Sequence, residues 1–157
     1  MTNFSRIVGK NIDLILEKFA EAVPEKQWVP VYKFHIVLHG TDQIVGNCDA
    51  RIGFNEKIYY GGHLGYNINE GHRKKGYATE AVLLLGEVFK ANGMTKVYIT
   101  NTPDNHASIR VCEKLGAKFI ETTELPADND MRIQSGVTHK NIWEWVIDAG
   151  SLKLKNP

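Results

Sequence analysis

The sequence predicts a mixed α/β domain, a central sheet of about six to seven strands with helices on both faces. Three observations carry this. The first half holds consecutive β-rich runs joined by short turns. The second half alternates strand and helix, the pattern of crossover connections. The chain has 157 residues, 43% apolar and 24% charged, which suits one ordinary globular core. No internal repeat, low-complexity tract or linker divides it, so residues 1–157 are expected to form a single domain.

Each element has its own signal. Asn11 to Val23 reads as a helix: Ile12, Ile15, Leu16, Phe19, Ala22 and Val23 recur at helical spacing, Asn11 or Asp13 offers a cap, and Pro24 ends it. Val31, Phe34, Ile36 and Leu38 lie in a strand closed by Gly40-Thr41-Asp42. Gln43 to Ile52 reads as its hairpin partner, and Asn55-Glu56-Lys57 as a turn. Tyr59 to Ile68 reads as a third strand, in which Gly61, Gly62 and Gly65 mark a bulge or a close approach. A polar loop, residues 69–76, opens into a helix from Tyr77 to Asn92. Its stripe is Ala78, Ala81, Val82, Leu85, Val88 and Phe89, with Gly93 as its stop. Lys96 to Thr100 is a short buried strand. Asp104 or Asn105 caps a helix that runs to Leu115 and stops at Gly116. Ala117 to Thr123 and Ile142 to Ile147 are the last strands, and Asp128 to Gly136 a polar loop between them.

Composition excludes several classes. The net charge of +1 gives no field directed at nucleic acid or a membrane. Met1 to Lys10 lacks the apolar core of a signal peptide, and no window approaches 18 consecutive apolar residues. A cytoplasmic location is expected. Cys48 and Cys112 read as buried free thiols. The six histidines, His35, His39, His63, His72, His106 and His139, form no ligand pair on a helix face, so no metal is expected.

The chemistry begins at Asn69-Glu70-Gly71-His72-Arg73-Lys74-Lys75-Gly76. A helix N-terminus presents unpaired N–H groups and a positive dipole end. Gly71 and Gly76 let the backbone curl around a ligand, and Arg73, Lys74 and Lys75 add three cations. The combination suits a pyrophosphate, although a solvated basic loop has the same composition. A Walker A loop needs a longer spacing ending in Lys-Ser/Thr, and a dinucleotide fingerprint needs three glycines. Neither is present.

Arg73-Lys74-Lys75-Gly76-Tyr77-Ala78 resembles the Arg/Gln-x-x-Gly-x-Gly/Ala loop of the GNAT superfamily, the Gcn5-related N-acetyltransferases. The run Asn105-His106-Ala107-Ser108 through Glu113-Lys114-Leu115-Gly116-Ala117 is similar to the family's Asn-x-x-Ser helix ending in Glu-Lys-Leu-Gly-Phe. Leu64-Gly65-Tyr66-Asn67-Ile68 resembles the preceding strand in the branch that acetylates ribosomal-protein N-termini and small amines. The resemblance covers about Tyr59 to Thr122.

The resemblance implies a GNAT-like fold with acetyl-CoA as cosubstrate. The strand Leu64 to Ile68, bulged at Gly65, would splay from Lys96 to Thr100 and admit the pantetheine arm. Main-chain groups of Asn67 and Ile68 would pair with that arm. N–H groups of Arg73, Lys74, Lys75, Gly76, Tyr77, Ala78 and Thr79 would hold the pyrophosphate, and Asn105 would bond the cofactor further along. An amine would attack the thioester directly, which needs a proton acceptor, an oxyanion donor such as an N–H near Ile68, and an acid for the thiolate. Many relatives place a Tyr acid where Cys112 stands. Ser108, one turn earlier on the same face, is the preferred acid. Cys112 reads as packing rather than as a nucleophile.

His63 stands where relatives often carry a Glu base, and its ordinary pKa suits the role. Asp49, Glu56 or an ordered water are the alternatives. Trp28, Tyr32, Tyr59, Tyr60, Trp143 and Trp145 could line an acceptor pocket, with core packing the stronger reading for the two strand tryptophans. The expected function is acetyl transfer to a primary amine: a protein N-terminus, an amino acid, a polyamine or a drug. A non-catalytic acyl-CoA-binding sensor is the alternative, suggested by Cys112 and His63. A nucleic-acid module is disfavoured by the neutral charge. The protein is expected to be a monomer or a homodimer.

Overall fold

In the computed structural model, residues 4–147 are described. The order is β1 (Arg6–Val8), β2 (Ile12–Ala20), β3 (Val31–Leu38), β4 (Ile44–Arg51), α1 (Glu56–Gly61), β5 (Leu64–Ile68), α2 (Tyr77–Ala91), β6 (Lys96–Asn101), α3 (His106–Leu115), β7 (Lys118–Glu124), α4 (Asp130–Ser135) and β8 (His139–Val146). The eight strands form two sheets rather than one, β1-β2-β3-β4-β5 and β6-β8-β7. Every strand ladder among the described residues is antiparallel. The expected crossover β5–α2–β6 exists, but its two strands form no parallel ladder, because the sheet divides between them.

One core serves both sheets. Ile12, Leu14, Phe34, Ile36, Val45 and Ala50 meet Val82, Leu85, Val88 and Phe89 of α2, and the cluster continues through Val97, Ile99, Trp143 and Trp145. Helix α2 packs on β2, β4, β5 and α3, whereas α1 packs on β6 and β8. Val97 and Ile99 join the core with α2, while Tyr98 alternates to the other face and meets Tyr59 of α1 edge-on at 5.1 Å. Helices therefore cover both faces. No helix among the described residues is long and apolar enough to cross a membrane.

Three elements differ from their expectation. Residues 12–20 form a strand, not a helix. Ile12, Leu14 and Leu16 also fit a period of two, and eight residues of β2 pair with β3 around a bulge between Leu16 and Lys18. Pro24 opens a single 3₁₀ turn instead of ending a helix. The expected strand from Tyr59 begins only at Leu64, because Asn55 caps α1, its side chain accepting the Ile58 N–H at 2.9 Å. Residues 130–135 form α4, capped by Asn129 and closed by Gly136 in the left-handed conformation.

Two carboxylates fasten the N-terminal hairpin. Glu80 of α2 accepts the N–H groups of Lys10, Asn11 and Ile12 at 2.8, 2.9 and 3.1 Å. Asp13, only 1% exposed, accepts the N–H groups of Gly9 and Gly40 at 2.9 and 3.0 Å and two donors of Arg6, and contacts His39 Nδ1 at 2.9 Å. Burial pushes the Asp13 carboxyl up. The Gly40 N–H, His39, the Gly9 N–H and Arg6 together outweigh it and hold the group well below the usual carboxylate range. A depressed folded-state pKa gives stability that is complete above the unfolded value, near pH 4, and is lost as pH falls below it. Asp13→Ala should cost about 2–4 kcal/mol in urea unfolding at pH 7, and the difference from wild type should shrink as pH drops below about 4.

Candidate functional site

The site begins where the two sheets touch. The His63 N–H donates to the Tyr98 carbonyl at 2.8 Å, and the Tyr98 N–H donates to His63 Nδ1 at 2.8 Å. Nδ1 must therefore be the unprotonated nitrogen, so Nε2 carries the hydrogen and donates to the Gly53 carbonyl at 2.8 Å. The ring is fully buried, between Phe54, Phe89 and Tyr98. Burial lowers its pKa to about 4, against a smaller opposing pull from the Gly53 carbonyl. The expectation of His63 as the base is corrected on this geometry: both nitrogens are engaged, and no lone pair faces the cleft.

Beyond this junction β5 and β6 part. The gap continues into a cleft of about 820 Å³, walled by Leu64 to Ile68 on one side and by Ile99, Thr100 and α3 on the other. The expected bulge at Gly65 is absent, since β4 and β5 pair in unbroken register from Gly46↔Ile68 to Ala50↔Leu64. Gly65 instead lies against two side-chain ends of β4. A Cβ there would lie 3.0 Å from Arg51 Nη2 and 3.4 Å from Asp49 Oδ2.

The basic loop forms one end of the cleft. Lys74 and Gly76 adopt positive φ values of 64° and 81°, a turn that points successive N–H groups inward. Gly76 is the N-cap of α2 and supplies no side-chain acceptor, so the first-turn N–H groups of Tyr77, Ala78 and Thr79 stay available to an anion. Asn67, Ile68, Arg73, Lys74, Gly76, Tyr77, Ala78, Thr79, Asn105 and Ser108 all line the cleft, while Lys75 is exposed and does not. Arg73 Nε donates to the Ile68 carbonyl at 2.8 Å, tying the loop to the end of β5. Asn105 caps α3, its Oδ1 accepting the Ser108 N–H at 3.2 Å.

Ser108 is oriented by a one-way chain of donors. An indole can only donate, so Trp143 Nε1 at 3.3 Å fixes which atom of the Asn101 amide is its oxygen. Asn101 Nδ2 then donates to Ser108 Oγ at 3.1 Å and contacts Cys112 Sγ at 3.7 Å. The Tyr66 hydroxyl donates to the same Oγ at 3.3 Å. Tyr66 and Asn101 together hold the serine oxygen at the wall of the cleft. Cys112 is fully buried, and burial pushes its thiol to about 12, so it packs and does not attack. Cys48 is likewise buried and raised.

The aromatic residues separate. Trp143 and Trp145 are core. Trp28 is exposed beneath Lys26, and Tyr32 packs against Phe4, Phe19 and Phe34. Tyr59 and Tyr60 meet edge-on, and the Tyr59 hydroxyl donates to Glu121. Glu56 is exposed in the first turn of α1, away from the cleft. Asp49 lies beside Gly65 at its edge. Sequence reasoning missed Tyr66, Asn101, Arg110, Lys114 and the cleft-facing His72, whose Nδ1 is buried with no hydrogen-bond partner among the described residues. Arg110 and Lys114, four apart on α3, were visible as a cationic pair on the Ser108 helix.

A split sheet, an anion-ready helix end and a directed hydroxyl between them define a cleft for an extended ligand with an anionic tail and a reactive tip. Over residues 8–118 the chain matches the family described as Acetyltransferase (GNAT) domain. The protein belongs to this family. It is 31% identical over 87 residues to the uncharacterized N-acetyltransferase YnaD of Bacillus subtilis (strain 168), covering 55% of this chain and 49% of that protein. The chain thus spans about half the length of this relative. The fold is shared with ribosomal-protein-S5-alanine acetyltransferase from Vibrio fischeri, with TM-score 0.66 and 13% identity over 93% of this chain and 98% of that one. It is shared also with the Microcin C7 self immunity acetyltransferase MccE, solved in complex with acetyl-CoA and AMP, with TM-score 0.56 and 22% identity over 74% and 61%.

The His63 geometry has a measurable consequence. Its lowered folded pKa means the unfolded chain takes up the proton first. Stability is complete above about pH 6.5 and falls as pH drops towards 4, by roughly 3 kcal/mol. His63→Gln should flatten that part of the pH–stability curve in chemical denaturation, while lowering stability at pH 8.

Proposed function

We propose that the protein transfers the acetyl group of acetyl-CoA to a primary amine by direct attack on the thioester. The observation that carries this reading is the Ser108 hydroxyl, aimed by Tyr66, Asn101 and Trp143 into the gap between β5 and β6. The residues present fit the cosubstrate. The uncapped N-terminus of α2, with Arg73 and Lys74, suits a pyrophosphate. The buried Nδ1 of His72, with no hydrogen-bond partner among the described residues, offers one more polar contact beside it. Ile68, at the end of a strand with no partner on the cleft side among the described residues, turns its N–H away from β4 and suits pairing with the pantetheine arm, whereas the main-chain groups of Asn67 face Asn47 of β4.

In this reading, the neutral amine attacks the carbonyl carbon and loses a proton to water, the carbon–sulfur bond breaks, and Ser108 gives its proton to the departing thiolate. A proton from solvent restores the serine. Cations near the tail hold the substrate but do not enter the bond-making step. The acceptor amine enters from the face turned away from α2.

A non-catalytic acyl-CoA-binding module is the second reading, favoured by the absence of a free lone pair on His63. Binding of acetyl-CoA without thiol release on a broad amine panel would establish it.

Two outcomes test the main reading. Arg73→Glu and Gly76→Asp should each abolish acetyl-CoA binding in calorimetry, where the wild type binds one equivalent. Ser108→Ala should lower kcat roughly 100-fold while leaving the acetyl-CoA Kd within about threefold. An unchanged kcat would remove the serine from the chemistry.

A further inference from the structure

Strand β4 carries a second constellation, at the far edge of the same gap. Cys48 and Ala50 turn into the core beneath α2, so Asp49 and Arg51 alternate to the opposite face. Arg51 Nη1 donates to the carbonyls of Gly61 and Gly62 at 3.1 and 2.9 Å, which fixes the guanidinium at the head of β5. Its Nε lies 3.1 Å from Asp49 Oδ1. The contact is an ion pair without hydrogen-bond alignment: Asp49 Oδ1 is buried and has no hydrogen-bond partner among the described residues. Lys33 stands directly opposite Asp49 on β3.

The other sheet supplies two more unmet groups. Thr100 Oγ1 is buried with no hydrogen-bond partner among the described residues, and a Cβ on Gly62 would lie 3.4 Å from it. Ile142 pairs with Thr100, which puts the half-buried Lys140 on the face that Thr100 shares. Among the described residues the Lys140 ammonium has no hydrogen-bond acceptor and no carboxylate. Burial lowers its pKa, and the nearby Arg51 charge lowers it further. Lys33 and Arg51 thus flank the Asp49 carboxylate, Lys140 lies in the field of Arg51, and two buried oxygens have no hydrogen-bond partner among the described residues. Such a group is completed by a ligand that brings N–H donors and negative charge together.

We propose that Asp49, Arg51, Thr100 and Lys140 form the acceptor subsite, and that the acceptor is a small amine carrying an anionic group, a carboxylate or a phosphate, within a few bonds of its nitrogen. The proposal rests on the acetyl-transfer reading and names its second substrate. The ammonium of the acceptor gives one proton to the Asp49 carboxylate, from which it passes to solvent. The neutral nitrogen attacks the acetyl carbonyl carbon and loses its second proton to water. The carbon–sulfur bond breaks, and the thiolate takes the Ser108 proton, which solvent replaces. The sum is an ammonium and a thioester giving an amide, a thiol and one proton. Arg51 and Lys140 hold the anionic group, which a peptide N-terminus does not have beside its nitrogen.

The test is thiol release at saturating acetyl-CoA with the full chain. α-Amino acids are compared with their carboxamides, and aminoalkyl phosphates with the corresponding amino alcohols. One of the two anionic sets should contain acceptors with kcat/KM at least tenfold above their uncharged counterparts, and which set does so identifies the source of the charge. Lys140→Met should bring that ratio towards one, and Lys140→Arg should keep it. Turnover that favours the uncharged member in both sets overturns the proposal and leaves acetyl transfer standing. So does a ratio that survives Lys140→Met. A folded protein that takes up no acetyl-CoA overturns the earlier reading and this one together.

Discussion

The contact between His63 and Tyr98 is the constraint on which the rest depends. In an ordinary sheet the Tyr98 N–H would meet a main-chain carbonyl of the neighbouring strand and the ladder would continue. Here it meets an imidazole nitrogen. The side chain takes the place of the next rung, so the ladder ends after a single main-chain bond from His63. Below this point Phe54, Phe89 and Tyr98 seal the ring. Above it β5 and β6 diverge, and each presents an edge to the cleft. A neutral, fully buried histidine suits this task, because it accepts on one nitrogen and donates on the other without carrying charge into the core.

The same economy of direction governs the cleft. Trp143 is a core residue, yet its single N–H decides the orientation of Asn101, and Asn101 with Tyr66 holds the Ser108 hydroxyl at the wall of the cleft. At the other end, the conformation at Lys74 and Gly76 turns the loop so that the end of α2 stays open. The binding end is thus built mainly from backbone and the reacting end from side chains. The two are joined through Arg73, which holds the Ile68 carbonyl.

Much of this was legible where the signal is local. The loop before α2, the helix itself and the Asn105–Ser108 cap lie within short stretches, and glycine, cap and stripe agree there. The N-terminal strand was misread because Ile12, Ile15, Leu16 and Phe19 satisfy helical spacing while Ile12, Leu14 and Leu16 satisfy strand spacing. Pairing with β3 decides between them. Helices α1 and α4 have six residues each, too short for a periodic stripe, and only Asn55 and Asn129 with Gly136 announced them. The roles of His63 and Asn101 were illegible for a different reason. Each is set by a residue far along the chain: Tyr98 for His63 and Trp143 for Asn101.

Amide hydrogen exchange of the full chain, with and without acetyl-CoA, tests the central claim most directly. The account predicts slowed exchange at Ile68 and at Tyr77, Ala78 and Thr79, with none in β7, which lies at the outer edge of its sheet. Protection confined to other elements, or no protection at saturating acetyl-CoA, would contradict the assignment of the split between β5 and β6 as the place where the thioester is held.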